Sequence, residues 1–371
     1  MKLRVLASVA LVGLVASACA SHLSPLPAGS ITEGALRYDA TIPPSYQCFP
    51  SGLPHATGPD PLLAYIDQCS VAKAKEHANL QKLAIAMMIY HAQVRRFISY
   101  CTGTPVKAED IGSVHVAFVV TAAHCVVGGD KAAHTKVTAA NISTFANHGD
   151  YVYQGTPGIL TEGNRDLLTG KIDAVYVPSR YCEVPAFDSD GSGCADLQKQ
   201  NGDLAVLKIV STAHTVDVLP NLKLAPADLS LTSASYVMAL GYGINTTKTP
   251  QDRALYYVDY QYFATDDYQH VPSENSLMNG YFKDSNFYNI ICQGDSGGGD
   301  FAWDGKDWLL AGDHSWGAIP CGVWSSRYTQ AQDVSADLRP WDSFISTILT
   351  EDRDAKGCKD FGAHYVCAAA P

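Results

Sequence analysis

Three stretches of the chain carry side chains that could act together on a carbonyl. Cys292-Gln293-Gly294-Asp295-Ser296-Gly297-Gly298-Gly299 sets one serine among small residues. Glycine on either side lets the backbone bend tightly and bring its N–H groups up to a substrate oxygen. A serine hydroxyl is a weak nucleophile at neutral pH, so Ser296 needs a histidine to take its proton and a carboxylate to orient that histidine. Thr121-Ala122-Ala123-His124-Cys125 supplies the first, at the end of the apolar run Val116 to Val120. Asn201-Gly202-Asp203 supplies the second, at the head of Leu204 to Val210. The chemistry is acyl transfer: Ser296 attacks, His124 acts as base and then acid, and Asp203 holds the imidazole. Alone, a glycine-rich turn is a tight loop and a single His or Asp is a surface residue; the order His, Asp, Ser gives the set its meaning. An esterase on an α/β-hydrolase fold would run Ser, Asp, His instead.

With TAAHC, GDLAVLKI, CQGDSGGG and Ser315-Trp316-Gly317 in one order, the chain resembles the chymotrypsin/trypsin-like serine peptidases, as a bacterial secreted or lipoprotein member. The resemblance implies an all-β fold of two packed six-stranded antiparallel barrels over 96–350, with the site in the cleft between them. From Asp203 to Ser296 the spacing (296 − 203 = 93) is typical of that family, whereas His124 to Asp203 (203 − 124 = 79) is long and marks an inserted loop. It further implies an oxyanion hole from the N–H groups of Gly294 and Ser296, and a wall, Ser315, Trp316 and Gly317, on which a peptide pairs its backbone. Ile290 falls at the floor of the primary pocket, with Ile291, Gln293, Gly317 and Ser326 around it. Such a pocket offers no counter-charge to Lys or Arg and favours an apolar or aromatic P1 residue. His314 supports a second reading, because glutamate-specific members carry a histidine there. Disulfides Cys101–Cys125 and Cys292–Cys321 also follow from the resemblance, and no cofactor is needed. One departure is plain: no Ile-Val-Gly-Gly segment precedes Cys101, so either Asp295 pairs with an internal cation or polar group, giving an enzyme active without cutting, or the oxyanion hole stays unformed. The contrasting reading is an inactive pseudo-peptidase that binds proteins without cutting them.

These residues must be positioned by elements that the rest of the sequence has to supply. Met1-Lys2-Leu3-Arg4 is a basic head followed by the apolar run Val5 to Val15 and small residues, the pattern of a secretory signal peptide over 1–20. Cys19 ends a lipobox-like run, and a cut after Ala18-Cys19-Ala20 competes with its lipidation. The expected location is outside the cytoplasm: secreted, periplasmic, or lipid-anchored to the envelope. Residues 21–61 are rich in proline, glycine and serine. Over Leu62 to Arg95, the positions Leu80, Leu83, Met87, Tyr90 and Val94 share one helical face, which predicts a helical extension acting as a cap or an inhibitory propeptide. Strand-like runs then follow at Phe97–Tyr100, Val114–Val120, Val152–Tyr153, Lys171–Val177, Leu204–Val210, Tyr236–Leu240, Ala254–Phe263 and Trp308–Ala311. A boundary between the barrels is expected near Leu219 to Ala227. Arg339 to Leu349 resembles the family's closing helix, and 351–371 form a cysteine-closed tail.

Eleven cysteines less Cys19 leave ten, enough for five disulfides in an oxidising compartment. Proximity alone pairs Cys182 with Cys194, Cys48 with Cys69 and Cys358 with Cys367, with Cys48 or Cys69 reaching the C-terminal pair as the alternative. No C-x-x-C occurs, so a metal site is not expected. Asp188-Ser189-Asp190-Gly191-Ser192-Gly193 resembles a calcium loop, but Lys199 stands where a bidentate glutamate is required, which favours a disulfide-closed surface loop. The sequons at Asn141 and Asn245 are read as incidental. A net charge of −11 argues against nucleic acid or an anionic membrane as partner. The expected partners are therefore a protein or peptide substrate, with the membrane reached only through a lipid on Cys19, and the chain is read as a monomer.

Overall fold

The apolar runs that end at His124 and begin after Asp203 lie side by side as neighbouring strands. A computed structural model describes residues 81–93, 95–126, 151–155, 160–178, 202–220, 222–229, 236–243, 256–263, 276–283, 286–288, 294–303, 308–317, 333–351, 358–360 and 364–367. Its first sheet contains β1 (Ile85–His91), β2 (Arg96–Ile111), β3 (Val114–Thr121), β4 (Tyr151–Tyr153), β5 (Gly170–Pro178) and β6 (Ala205–Ser211). Their order is β5-β4-β1-β2-β3-β6, and β5 also pairs with β6, so six antiparallel strands close into a barrel. β3 is apolar on both faces over most of its length. In β3, Ala117 and Val119 enter one buried cluster with Ile85, Met87, Val175 and Leu207, while Val116, Phe118 and Val120 enter another with Trp341, Phe344 and Ile348. The two-residue alternation of strand side chains produces this division.

Within the expected helical extension over 62–95, the segment 85–91 forms a strand instead. Ile85–His91 is strand β1, paired with both β2 and β4, while residues 62–80 lie outside the described part. Leu83, Met87 and Tyr90 do fall at helical steps, but Ile85, Ala86, Met87 and Met88 are all buried, and they alternate between the two clusters. A short apolar run buried on both sides fits either periodicity, and strand pairing decided it. The barrel therefore includes residues before 96.

The second sheet comprises β7 (Lys223–Leu224), β8 (Tyr236–Gly241), β9 (Tyr256–Phe263), β10 (Ser276–Lys283), β11 (Asn286–Tyr288), β12 (Gly299–Trp303), β13 (Trp308–Gly317) and β14 (Asp333–Asp337). The order is β11-β10-β14-β13-β12-β8-β9, with β9 also pairing to β10 and β7 lying parallel to β13. The passage between the sheets runs from Ser211 to Lys223, next to the expected boundary. Helix α1 (Asp342–Glu351) follows a 3-10 turn at Arg339–Trp341 and is held to the first barrel by Lys107 Nζ, which donates to the Leu349 carbonyl at 2.8 Å. The tail forms a hairpin of β15 (Cys358–Asp360) and β16 (His364–Cys367), closed by the Cys358–Cys367 disulfide that proximity suggested. β16 lies parallel on β5, and Tyr365 stacks on Tyr176 with ring centroids 4.9 Å apart.

Candidate active site

His124 sits in the 3-10 turn Ala123–Cys125 that follows β3 directly, and Asp203 lies just before β6. Because β3 and β6 are paired with Thr121 opposite Ala205, the two side chains emerge at the same end of the barrel. His124 Nδ1 lies 2.9 Å from Asp203 Oδ2, and the His124 backbone N–H donates to Oδ1 at 2.9 Å. A third donor comes from the other sheet, where the Ser315 hydroxyl bonds to Oδ2. Burial alone would raise the Asp203 pKa, but the His124 charge and the hydrogen bonds from His124 and Ser315 outweigh it, so the carboxyl sits below its ordinary value. Burial would lower the His124 pKa; the Asp203 charge and its hydrogen bond win, and the imidazole sits above its ordinary value. With Nδ1 committed, Nε2 is the nitrogen left for a nucleophile.

The Gly294–Gly299 turn, which carries Ser296, is tied to both sheets. Gly297 N–H donates to the His314 carbonyl at 2.7 Å and His314 N–H returns to the Gly298 carbonyl at 2.8 Å, so the turn is pinned against β13. From the first barrel, Thr102 N–H donates to the Ser296 carbonyl at 2.8 Å. Among the described contacts the Ser296 hydroxyl makes no hydrogen bond to Nε2, a looseness common in substrate-free sites that tightens on binding. The Cys101–Cys125 disulfide is formed. Its Cys125 sulfur lies 3.8 Å from Nε2 and 3.6 Å from the Ser296 carbonyl oxygen, filling the floor between the two residues. Ligand atoms of Cys101, His124 and Cys125 cluster within 4.8 Å, yet both sulfurs are spent in that bridge and have no thiolate to offer a metal.

Asp295 finds its partner inside the chain. The Gly243 N–H donates to Asp295 Oδ1 at 2.6 Å, and a Cβ on either Gly241 or Gly243 would overlap the carboxylate. The sequence Gly241-Tyr242-Gly243 thus forms a cradle that only glycine allows, with the Tyr242 ring fully buried and its hydroxyl donating to the Gly155 carbonyl at 2.8 Å.

Other expected positions divide sharply. Ser315 does lie on a strand of the second sheet, and its hydroxyl serves Asp203. Trp316 and Gly317 continue that strand, opposite Val334 and Asp333 of β14. His314 is 1% exposed, with Nδ1 3.3 Å from Asp300 Oδ1 and 3.4 Å from Ser335 Oγ. Ile290, Ile291, Gln293 and Ser326 lie outside the described residues, as do Cys292, Cys321, Cys182, Cys194, Cys48, Cys69, Cys19, the Asp188–Gly193 loop and the two sequons. Sequence reasoning missed Thr102, the Gly241–Gly243 cradle and a buried acidic pair, Asp300 and Asp313. Only the cradle left a visible trace, two glycines flanking a large aromatic residue.

Asp313 is buried, and among the described residues neither carboxyl oxygen has a hydrogen-bond partner from another residue. Burial, followed by the charges of Asp203 and Asp300, pushes its pKa well above the ordinary carboxylate value. A raised acid binds its proton more tightly folded than unfolded, so its stabilisation is fully present below the unfolded pKa and is lost as pH rises through the folded one. Asp313→Asn should therefore leave the melting temperature nearly unchanged at about pH 3.5 and raise it at about pH 8, since the variant has no proton to lose. Thermal melts of both proteins across that range test this; a difference that does not grow with pH contradicts it.

The family model that matches is Trypsin, over residues 110–341. Among solved structures, neuropsin, a serine protease expressed in the limbic system of mouse brain, is 18% identical, with a TM-score of 0.45; the similarity covers 73% of this chain and 96% of that one. No curated protein matches the chain.

Proposed function

The chain belongs to the Trypsin family, and on that premise we propose that it is a serine endopeptidase, acting on protein or peptide substrates through an acyl-enzyme on Ser296. The observation that carries the reading is the pair His124–Asp203, with the imidazole held by Nδ1 at 2.9 Å and the nucleophile turn tied to the strand ends beside it. In the first step Ser296 Oγ attacks the scissile carbonyl carbon while His124 Nε2 takes its proton. The oxygen's developing charge falls to the N–H groups of Gly294 and Ser296. The imidazolium, stabilised by the buried Asp203 carboxylate, then protonates the departing amine. Water enters, gives its proton to His124, and releases the acid with Ser296 restored. No atom of this cycle calls for a cofactor.

For specificity we favour an apolar or aromatic P1 residue, because the resemblance assigns the pocket floor to Ile290, with Ile291 beside it, and neither carries a charge. A glutamate at P1 is the second reading, suggested by the position of His314 immediately before Ser315-Trp316-Gly317. The leader sequence supports an exported enzyme. Profiling the purified protein on a peptide library tests these choices together. Cleavage after Phe, Tyr or Leu is expected; cleavage after Glu that is lost in His314→Ala promotes the second reading, and dominant cleavage after Lys or Arg overturns the pocket assignment. A folded protein that cuts nothing, while Ser296→Ala binds the same partners, would mark a pseudo-peptidase.

A further inference from the structure

We propose that Thr102 is a positioning residue for the oxyanion-binding turn, its hydroxyl tying the Gly294 carbonyl to the Tyr242 N–H across the junction of the two sheets. The inference rests on the serine-peptidase reading. Thr102 lies on β2, is fully buried, and uses every hydrogen-bonding group it has. Its Oγ1 donates to the Gly294 carbonyl at 2.8 Å and accepts from the Tyr242 N–H at 2.9 Å. Its N–H donates to the Ser296 carbonyl at 2.8 Å, and its carbonyl accepts from Thr121 Oγ1 at 2.7 Å. A hydroxyl has one proton to give and lone pairs to accept with, so donor and acceptor roles are both filled without competition.

The consequence follows from which peptide units are held. The Gly294 carbonyl belongs to the unit between the one bearing the Gly294 N–H and the one bearing the Ser296 N–H. The Ser296 carbonyl belongs to the next unit along. Fixing both from Thr102 holds the units on either side of the one bearing the Ser296 N–H, and the unit that follows the one bearing the Gly294 N–H. The unit between the tied ones is held as well, because the Asp295 carbonyl accepts from the Gly298 N–H at 2.8 Å. In a planar trans peptide the N–H points opposite to the carbonyl, so the Ser296 N–H is directed away from Gly298. Gly294 itself has φ 98°, a conformation open to glycine, and one that a free turn would leave readily. Asp295, bonded to the Gly243 N–H, is a second anchor on the same Tyr242–Gly243 segment. Among the described residues, the turn is thereby tied to Thr102 of the first sheet and to the Tyr242–Gly243 segment.

Thr102→Val keeps the shape and removes the hydroxyl, and Thr102→Ser restores it. The expected result for Thr102→Val is a kcat lower by about tenfold to hundredfold with KM within about twofold, and loss of affinity for a peptidyl trifluoromethyl ketone in step with kcat/KM. Such a ketone forms a tetrahedral adduct that fills the hole, whereas a product peptide does not, so affinity for the product peptide should stay unchanged. Thr102→Ser should recover most of the loss. A Thr102→Val enzyme with wild-type kcat and wild-type ketone affinity overturns the proposal. So does a loss that falls equally on product-peptide affinity, or one that Thr102→Ser fails to recover. If Thr102→Val does not fold, Thr102→Ser against Thr102→Ala gives the same comparison. A wild-type protein that neither turns over substrate nor binds the ketone would instead sink the peptidase reading, a result distinct from any of these.

Discussion

Asp203→Asn should lower kcat by about ten-thousandfold while leaving the fold intact. Among the described residues, each hydrogen-bond partner of the Asp203 carboxylate is a donor: the His124 backbone N–H, His124 Nδ1–H and the Ser315 hydroxyl. An amide offers one acceptor oxygen and an NH2 that must meet a donor. If the oxygen takes the backbone N–H, the NH2 faces Nδ1 and selects the tautomer with the proton on Nε2, which cannot accept the Ser296 proton. If it turns the other way, the 3-10 turn carrying His124 loses its anchor. Loss of the negative charge also removes what lifts the His124 pKa, so the acid limb of the rate profile should move toward lower pH as the overall rate collapses. Steady-state rates against pH for both proteins check this. A variant within about tenfold of wild type would remove Asp203 from the mechanism.

Gly241→Ala should cost about a hundredfold to a thousandfold in kcat, the range for losing a donor of the oxyanion hole. The new methyl would overlap the Asp295 carboxylate and stand 2.9 Å from Asp295 Cβ, so rotating the carboxylate cannot clear it. The whole residue must move. Asp295 lies between Gly294 and Ser296, and its carbonyl holds Gly298, so its displacement is passed straight to the peptide units that would bind the oxyanion. Gly163→Ala is the control: a Cβ there meets nothing nearer than 3.7 Å, and the residue lies in a surface turn far along the chain. Full activity in Gly241→Ala, or equal losses in both variants, would mean that the Asp295 cradle does not govern the hole.

The two cases differ in how far the sequence could foretell them. His124 and Asp203 were legible because each closes or opens a long apolar strand, and paired strands bring such ends together whatever lies between; even an inserted loop of unusual length does not alter the meeting. The barrel was legible for the same reason. β1 was not, since Leu83, Met87 and Tyr90 satisfy a helical face by coincidence, and a strand buried on both sides shows no alternation to betray it. β10 and β14 also escaped notice, as Ser276–Lys283 and Asp333–Asp337 mix polar and apolar residues without a run. The Asp295 cradle and the Thr102 ties are contacts between residues 52 and 192 positions apart, made by backbone groups, one carboxylate and one hydroxyl. Nothing in local composition announces a bond of that kind, and only the assembled turn shows that Ser296 is held from both sheets.

Labelling the purified full-length chain with a fluorophosphonate, followed by peptide mass mapping, tests the central claim most directly. The probe's phosphorus is attacked by an activated serine and expels fluoride, leaving a stable adduct on that oxygen. The account predicts a single adduct on Ser296, absent from Ser296→Ala and from heat-unfolded protein, and strongly slowed in His124→Ala. Folded protein that takes no label, or that carries it on another residue, would contradict it.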